Sequence, residues 1–217
     1  MRVSIDAKAS VKIGPFSRGG TSRVVTKAAD HDFEAQATIT PLGVLLPQHD
    51  ELFLYGVTSK VTSDCIVDRL EQWWEQVKQR FNAITSLVIN LDNGPENHSR
   101  RTQFMQRLVT FANRTKLHIR LAYYPPYHSK YNPIERCWGI LERHWNGALL
   151  DSIDTALRFA QSMTWKGTHP MVELVTTTYH SGVKLTQQAM AQLETQLQRN
   201  PTLGKWFIDI IPTVWDT

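Results

Sequence analysis

The sequence has few cysteines, no long apolar run and no apolar segment at its start. Cys65 and Cys137 are its two cysteines, and their spacing matches no disulfide or metal-binding framework. No run of about 18 apolar residues occurs, which excludes a membrane-spanning helix. The first residues, MRVSIDAKAS, lack the apolar core of a signal peptide. We therefore expect a cytoplasmic protein of a reducing compartment, with no membrane partner.

Low-complexity segments and internal repeats are also absent. A chain of 217 residues with 41% hydrophobic residues can bury a full core as one domain, with at most an appendage. Four of its seven tryptophans recur at helical spacings, and we expect them in the core. These are Trp73, Trp74, Trp138 and Trp145.

Positive charge is modest in total but unevenly distributed. The net charge is +4, yet residues 1–27 carry six basic residues and one acid, and residues 98–143 carry nine and two. Residues 30–75 carry two basic residues and nine acids. DNA is a plausible partner for the basic segments, because phosphate neutralisation supplies most non-specific affinity. An ordinary solvated surface is the alternative interpretation.

The first half of the sequence predicts three strands, a helix and a fourth strand. Alternating apolar residues indicate strands over 2–14, 37–47 and 51–60. Residues 62–81 have helical spacing, and Thr62 or Ser63 can cap the helix. The apolar run SLVINL is typical of a strand buried on both faces.

The second half predicts mainly helices around one further strand. A helix is indicated over residues 99–116, a strand over 118–125, and a helix with Asn132 as its cap and Pro133 at its first position. Residues 151–164 and 183–199 are predicted helices, and KWFIDIIP is a short strand or a loose terminal piece. A mixed five-stranded sheet with helices on both faces is the simplest architecture.

Three acids stand out by position. Asp6 lies within the first strand, Asp92 ends the apolar strand, and Glu135 lies in the first turn of a helix. A carboxylate in or at the end of a buried strand is unfavourable unless it is paired, hydrogen-bonded or bound to metal. Hard divalent cations prefer such oxygen ligands. The acids are therefore candidate metal ligands.

Each acid also has a purely structural interpretation. Asp6 could be exposed on the edge of the sheet, and Asp92 in LDNG could form an Asx-turn. Asn132 and Glu135 have the spacing of a capping box, in which the glutamate bonds the cap rather than a metal.

Two neighbouring acids compete for these roles. Glu142 lies two helical turns, about 10.5 Å, beyond Glu135, so both cannot close around one metal pair. Glu135 is favoured because it lies in the turn nearest the strand ends. Glu96 follows Asp92 by four residues and is expected to be a loop acid.

Three stretches resemble a known family. VSIDAKASVKIGPFSRGG, LDNGPENHSRRTQF and YYPPYHSKYNPIERCWG resemble, in the right order, the three conserved blocks of ISAzo-type insertion-sequence transposases of the DDE superfamily. The last block is also similar to the NPIE region of mariner-like transposases. The resemblance covers roughly residues 1–180 and implies an RNase H-like fold.

The resemblance implies both chemistry and partners. Asp6, Asp92 and Glu135 are expected to be the catalytic triad and to bind two Mg²⁺ ions, for which Mn²⁺ could substitute. The expected reaction is DNA cleavage and strand transfer by a homo-oligomer acting on transposon ends and target DNA in the bacterial cytoplasm. The side chains expected to contact DNA are Lys8, Lys12, Arg18, Arg23, Arg100, Arg101, His128, Lys130, Arg136 and Arg143.

The expected organisation is a catalytic core over residues 1–180 and a helical extension over residues 181–217. The family leads us to expect an N-terminal DNA-recognition region, whereas here the first catalytic strand begins at residue 2. We therefore expect weak recognition of element ends. The rival interpretations are another RNase H-like nuclease or polynucleotidyl transferase, and a non-catalytic DNA-binding or assembly remnant of a decayed element.

Overall fold

The computed structural model describes residues 1–21, 28, 35–125 and 131–213. Its strands are β1 (Arg2–Ala7), β2 (Val11–Ile13), β3 (Ala37–Leu46), β4 (Glu51–Val57), β5 (Ser86–Leu91), β6 (His118–Tyr123), β7 (Met171–Val175), β8 (Leu197–Arg199) and β9 (Phe207–Ile210). Its helices are α1 (Ser63–Val77), α2 (Thr102–Thr115), α3 (Pro133–Trp145), α4 (Ile153–Ser162) and α5 (Gln187–Glu194), with a 3-10 turn at Lys78–Phe81. None of these helices is long and apolar enough to cross a membrane.

The strands form one mixed sheet. Their order is β7-β4-β3-β1-β5-β6-β9-β8, and β2 pairs with β3. β1, β3 and β4 form an antiparallel meander, and β5 and β6 are added parallel to β1. The five predicted strands are therefore the centre of the sheet, and the predicted mixed α/β architecture is confirmed.

The sheet is larger than the predicted five strands. The predicted first strand is divided into β1 and β2, which pair with different parts of β3. β7 extends one side of the sheet, and the β8–β9 hairpin extends the other. Short strands of three to five residues carry too few alternations to be recognised in a sequence before their neighbours are known.

The C-terminal residues differ from the predicted helical extension. α5 ends at Glu194, and the chain then forms a hairpin whose second strand, β9, pairs antiparallel with β6. Ile208 and Ile210 are fully buried, whereas Asp209 between them points to the other face. This period of two is that of a strand, so FIDI is a strand between β6 and the edge strand β8 rather than a loose end.

Helices cover both faces of the sheet, as predicted. α1 and α2 bury Trp73 and Trp74 on one face, and α3 and α4 bury Trp138 and Trp145 on the other. These four side chains are 0–7% exposed, so the predicted core tryptophans are confirmed. The meander and the parallel strands thus bring the carboxyl ends of β5 and β6 to one edge of a rigid, two-sided core.

Candidate functional site

Two of the predicted acids lie at the ends of neighbouring parallel strands. Asp6 is the fifth residue of β1, and Asp92 follows β5 directly. Ser4 lies opposite Asn90 in this parallel pair, and continuing the register by two residues brings Asp6 level with Asp92. Both acids line one cavity of about 190 Å³ at this edge of the sheet.

α3 brings the third acid towards the same edge. The helix begins at Pro133, whose fixed φ suits a first helical position, and it packs against β1 and β3. Glu135 lies in its first turn. Its main-chain N–H donates to Asn132 O at 3.0 Å, but the Asn132 side chain forms no capping hydrogen bond with the described residues. The Asn132 half of the proposed capping box is therefore not formed.

Asp6 has a strongly perturbed carboxyl group. Its pKa is raised from 3.8 to about 7, mainly by burial and to a smaller extent by the negative charges of Glu135 and Asp92. The indole N–H of Trp138 donates to Asp6 Oδ2 at 2.6 Å and lowers the pKa, as does the main-chain N–H of Ala7. The three predicted acids therefore form one electrostatically coupled group.

Trp138 reaches Asp6 because the neighbouring strand has a glycine opposite that acid. Gly43 of β3 pairs with Asp6 of β1. A Cβ at Gly43 would lie 2.7 Å from Ile134 Cδ1 and 2.7 Å from Trp138 Cη2. The helical spacing of Trp138 predicts a core residue but does not indicate its hydrogen bond to Asp6. Its spacing of three from Glu135, which places both on one helix face, was the available indication.

The loop after Asp92 is held by its own side chains. Asn97 Nδ2 donates to Asp92 Oδ1 at 2.8 Å, and the Ser99 N–H donates to Asn93 Oδ1 at 3.3 Å. Asp92 therefore helps to hold its loop while its carboxylate still faces the shared cavity. Asp92 thus holds its loop through the Asn97 side chain, no Asx-turn hydrogen bond to its carboxylate occurs among the described residues, and its role as a metal ligand stays a prediction.

Glu96 connects this loop to α1. Its carboxylate accepts a hydrogen bond from the Ser63 N–H at 3.3 Å and pairs with Arg101 at 3.0 Å. It is a loop acid, as expected from the sequence. Because Arg101 is engaged in this ion pair, its charge is partly neutralised within the protein.

Glu142 is engaged in a separate ion-pair cluster. Lys8 Nζ lies 2.8 Å from Glu142 Oε2, and the Arg18 guanidinium also donates to this carboxylate. Partial burial opposes the effect, but the Lys8 hydrogen bond and the Arg18 charge hold the pKa of Glu142 below its ordinary value. Arg18 also lies over the Trp145 ring at 5.4 Å. Glu142 therefore fixes the segment after β2 to α3.

The ten predicted DNA contacts fall into three groups. Some are ion-paired, some are exposed, and some lie outside the described residues. Lys8 and Arg18 pair with Glu142 and Arg101 pairs with Glu96; Lys12, Arg100, Arg136 and Arg143 are exposed; Arg23, His128 and Lys130 lie outside the described residues.

The donor chemistry of the three acids fits a divalent cation. Carboxylate oxygens are the ligands of hard cations, and a cation would relieve the repulsion that raises the pKa of Asp6. As they stand, no three His, Cys, Asp or Glu side chains among the described residues are close enough to hold a metal. Glu135 also lies outside the lining of the cavity that Asp6 and Asp92 share. Binding would therefore require a change of side-chain rotamers.

Comparisons with solved structures identify the fold. Mos1 transposase in a paired-end complex with the left transposon end aligns with a TM-score of 0.52 and 11% identity. The Mos1 mariner paired-end complex with Mn aligns with a TM-score of 0.52 and 10% identity. Each alignment covers 73% of this chain and 46% of the Mos1 chain, so this chain spans about half the length of that transposase.

A comparison with protein families identifies the relationship. No curated protein matches the chain. Residues 1–212, nearly the whole sequence, match the family described as the Rhodopirellula transposase DDE domain. Such a domain belongs to the polynucleotidyl transferases and nucleases, which implies use of a divalent metal ion. The fold, the three coupled acids and the family match agree, and the chain belongs to the Rhodopirellula transposase DDE domain family, as a transposase catalytic domain.

Proposed function

We propose that this chain cleaves DNA at the ends of a mobile element and joins the freed 3′-hydroxyl to target DNA. The main support for this proposal is the electrostatic coupling of Asp6 to Asp92 and Glu135 at the carboxyl ends of the parallel strands. Membership in a transposase family supports this reaction. A non-catalytic remnant is not favoured, because all three acids are retained together.

Asp6, Asp92 and Glu135 would hold two Mg²⁺ ions, with Mn²⁺ as a substitute. When bound, such ions stabilise the charge on the attacking and leaving oxygens of a phosphoryl transfer. Trp138 orients Asp6 and Asn97 orients Asp92 through the hydrogen bonds described above. Because the acids act only as ligands, no bond forms between the enzyme and DNA.

The reaction has two displacements at phosphorus. In cleavage, a water oxygen bonds to the phosphorus and the 3′-oxygen leaves, taking up a proton to become a hydroxyl. In strand transfer, that hydroxyl loses its proton and attacks a target phosphorus, displacing the target 3′-oxygen. Neither step requires an oxidant, a reductant or a further co-substrate.

The proposed partners are transposon-end DNA, target DNA and a second copy of the chain. The Mos1 structures are complexes with paired ends, which supports a dimer acting on two ends here. Arg100, Arg136 and Arg143 are the best-placed phosphate contacts because they are exposed. Lys8 and Arg18 are weaker candidates because Glu142 already binds them.

The deciding experiment uses a supercoiled plasmid and a labelled oligonucleotide with a free 3′-hydroxyl. With Mg²⁺ or Mn²⁺, the chain should nick the plasmid and join the label to it. Glu135→Gln retains the capping ability of the side chain but weakens a metal ligand. We expect this variant to fold normally and to lose about a hundredfold or more in rate, since several kcal/mol of charge stabilisation is removed.

Two controls make the result decisive. Glu75→Gln makes the same chemical change at an exposed surface residue that pairs with Lys78, and it should leave the rate unchanged. Calorimetric titration with Mg²⁺ should show binding that Asp92→Asn abolishes. Magnesium binding unaffected by Asp92→Asn, or strand transfer by Glu135→Gln at the wild-type rate, would refute the assignment of the acids. Nicking without joining would indicate a plain nuclease.

A further inference from the structure

A second cleft lies at the same edge of the sheet as the acids. Its volume is about 730 Å³, and it lies between the loop before α2 and the β8–β9 connection. β9 runs antiparallel to β6, so its beginning lies beside the end of β6, where the Tyr123 N–H donates to Trp206 O at 2.9 Å. Because β1, β5 and β6 are parallel, the cleft lies at the same end of the strands as Asp6 and Asp92.

Residues that line the cleft are connected to the Asp92 loop by hydrogen bonds. The Arg199 guanidinium pairs with Glu194 and donates to Ser99 O at 2.9 Å. The Ser99 N–H in turn donates to Asn93 Oδ1, on the residue next to Asp92. A short chain of hydrogen bonds therefore connects the cleft to the loop that carries Asp92.

The β8–β9 connection, which lines the cleft, is held in place by its own hydrogen bonds. Asn200 Oδ1 accepts hydrogen bonds from the Thr202 N–H at 3.0 Å and the Leu203 N–H at 2.8 Å. A Cβ at Gly204 would lie 2.8 Å from Asn200 O, so the turn requires a glycine at this close approach. Because this connection is already ordered, binding a ligand to it loses less conformational entropy.

Two exposed cations and a half-buried tryptophan line this cleft. Arg100 and Lys205 are exposed, and neither forms an ion pair within the described part of the chain. Trp206 is half-buried against the core and contributes to the lining. An aromatic surface beside unneutralised cations is the arrangement that binds single-stranded nucleic acid, by base stacking and phosphate contact.

We propose that this cleft binds an unpaired nucleotide of the DNA strand that leads to the acids. Its base stacks on Trp206, and the adjoining phosphates contact Arg100 and Lys205. A base paired in a duplex has no free face for such stacking. This inference rests on the proposed function for its choice of DNA, and it assigns to Lys205 and Trp206 a role that is separate from catalysis.

The test measures fluorescence anisotropy of a labelled single strand and of its duplex, with the full chain in EDTA. Arg100→Ala and Lys205→Ala should weaken single-strand binding, and each should lower the salt slope by about 0.7, the value for one phosphate contact. The control Lys78→Ala removes the same charge from an exposed site just before β5, at the opposite edge of the sheet, and should change nothing.

Trp206 variants test the stacking. Trp206→Ala should weaken single-strand binding by about fivefold or more, with little effect on the duplex. Trp206→Phe keeps an aromatic ring and should retain most of the affinity, which separates stacking from misfolding. Equal losses on both DNAs, or binding by the Arg100 and Lys205 variants equal to that of Lys78→Ala, would overturn the proposal.

This site and the catalytic proposal fail separately. Asp92→Asn should bind single strands like the wild type while cleaving nothing. A wild-type chain that binds strands through these residues but never cleaves DNA would support the cleft and refute the catalytic proposal. A chain that cleaves DNA but binds independently of Arg100, Lys205 and Trp206 would do the reverse.

Discussion

Asp6 illustrates a conflict between stability and function at a single residue. Burial and two neighbouring negative charges disfavour its ionised form, and the Trp138 hydrogen bond offsets only part of this effect. A purely structural position would favour a neutral side chain here. Retention of such a carboxylate is typical of functional sites, where local rules of stability are broken for chemistry.

Asp6→Asn should stabilise the metal-free protein at alkaline pH. Folding raises the pKa of Asp6 from 3.8 to about 7, so the protonated carboxyl stabilises the folded state. This stabilisation is fully present below pH 3.8 and is lost as the pH rises through about 7. Asparagine is always neutral and can still accept the Trp138 hydrogen bond. In EDTA at about pH 8, we expect a melting temperature at least about 2 °C higher, the shift for 1 kcal/mol in a protein of this size.

The same comparison near pH 4 is the control for that prediction. There the wild-type carboxyl is mostly protonated, so the two melting temperatures should converge. A gain of equal size at both pH values would mean that the substitution acts through packing rather than through ionisation.

The sequence predicts the three candidate acids but not the side chains that hydrogen-bond to them. Asp6, Asp92 and Glu135 follow from strand and helix boundaries, which are local, and from three short blocks of residues. The Trp138 bond joins residues 132 positions apart in the chain. It depends on the β1–β3 register and on how closely α3 approaches, neither of which local periodicity contains.

At the scale of elements, the site depends on how closely α3 approaches the sheet. Gly43 permits this approach, because any larger residue would collide with Ile134 and Trp138. The position of Glu135 relative to Asp6 is therefore set by a residue on a different element. This contact also explains a glycine within β3, where glycine weakens a strand by itself.

Gly43→Ala should destabilise the protein and reduce its activity together. Its Cβ would lie 2.7 Å from side-chain atoms of α3, and overpacking of this kind costs about 1–3 kcal/mol. Gly139→Ala is the matched control, since a Cβ there meets nothing within 4 Å and alanine favours a helix by about 0.5–1 kcal/mol. Urea unfolding should give opposite signs. A stabilised Gly43→Ala would contradict the close-packing argument.

The Glu142 cluster attaches the segment after β2 to α3, so its cations should act on stability more than on DNA. A double-mutant cycle between Arg18→Ala and Glu142→Ala should give a coupling of at most about 1 kcal/mol, as expected for a partly exposed pair. Arg18→Ala should change DNA affinity less than Arg136→Ala does. If Arg18→Ala weakens DNA binding more strongly, Arg18 exchanges Glu142 for phosphate.

At the scale of the whole molecule, residues beyond 180 belong to the same core as the residues before them. Leu193, Leu197, Ile208 and Ile210 pack with the strands and helices of the first half. The hairpin also covers the edge of β6, which would otherwise be open to pairing with other chains. The sequence did not reveal this, because the need to cover an edge appears only once the strand order is known.

Loss of the β8–β9 hairpin should therefore unfold the molecule rather than release an intact core. Ile208→Ala, at a fully buried position, should cost about 2–5 kcal/mol and shift a single cooperative unfolding transition. Ile211→Ala, three residues on and 47% exposed, should cost little. A chain of residues 1–180 should be aggregated or unfolded by circular dichroism. If it instead unfolds cooperatively at the wild-type midpoint, residues 181–217 form a separable extension.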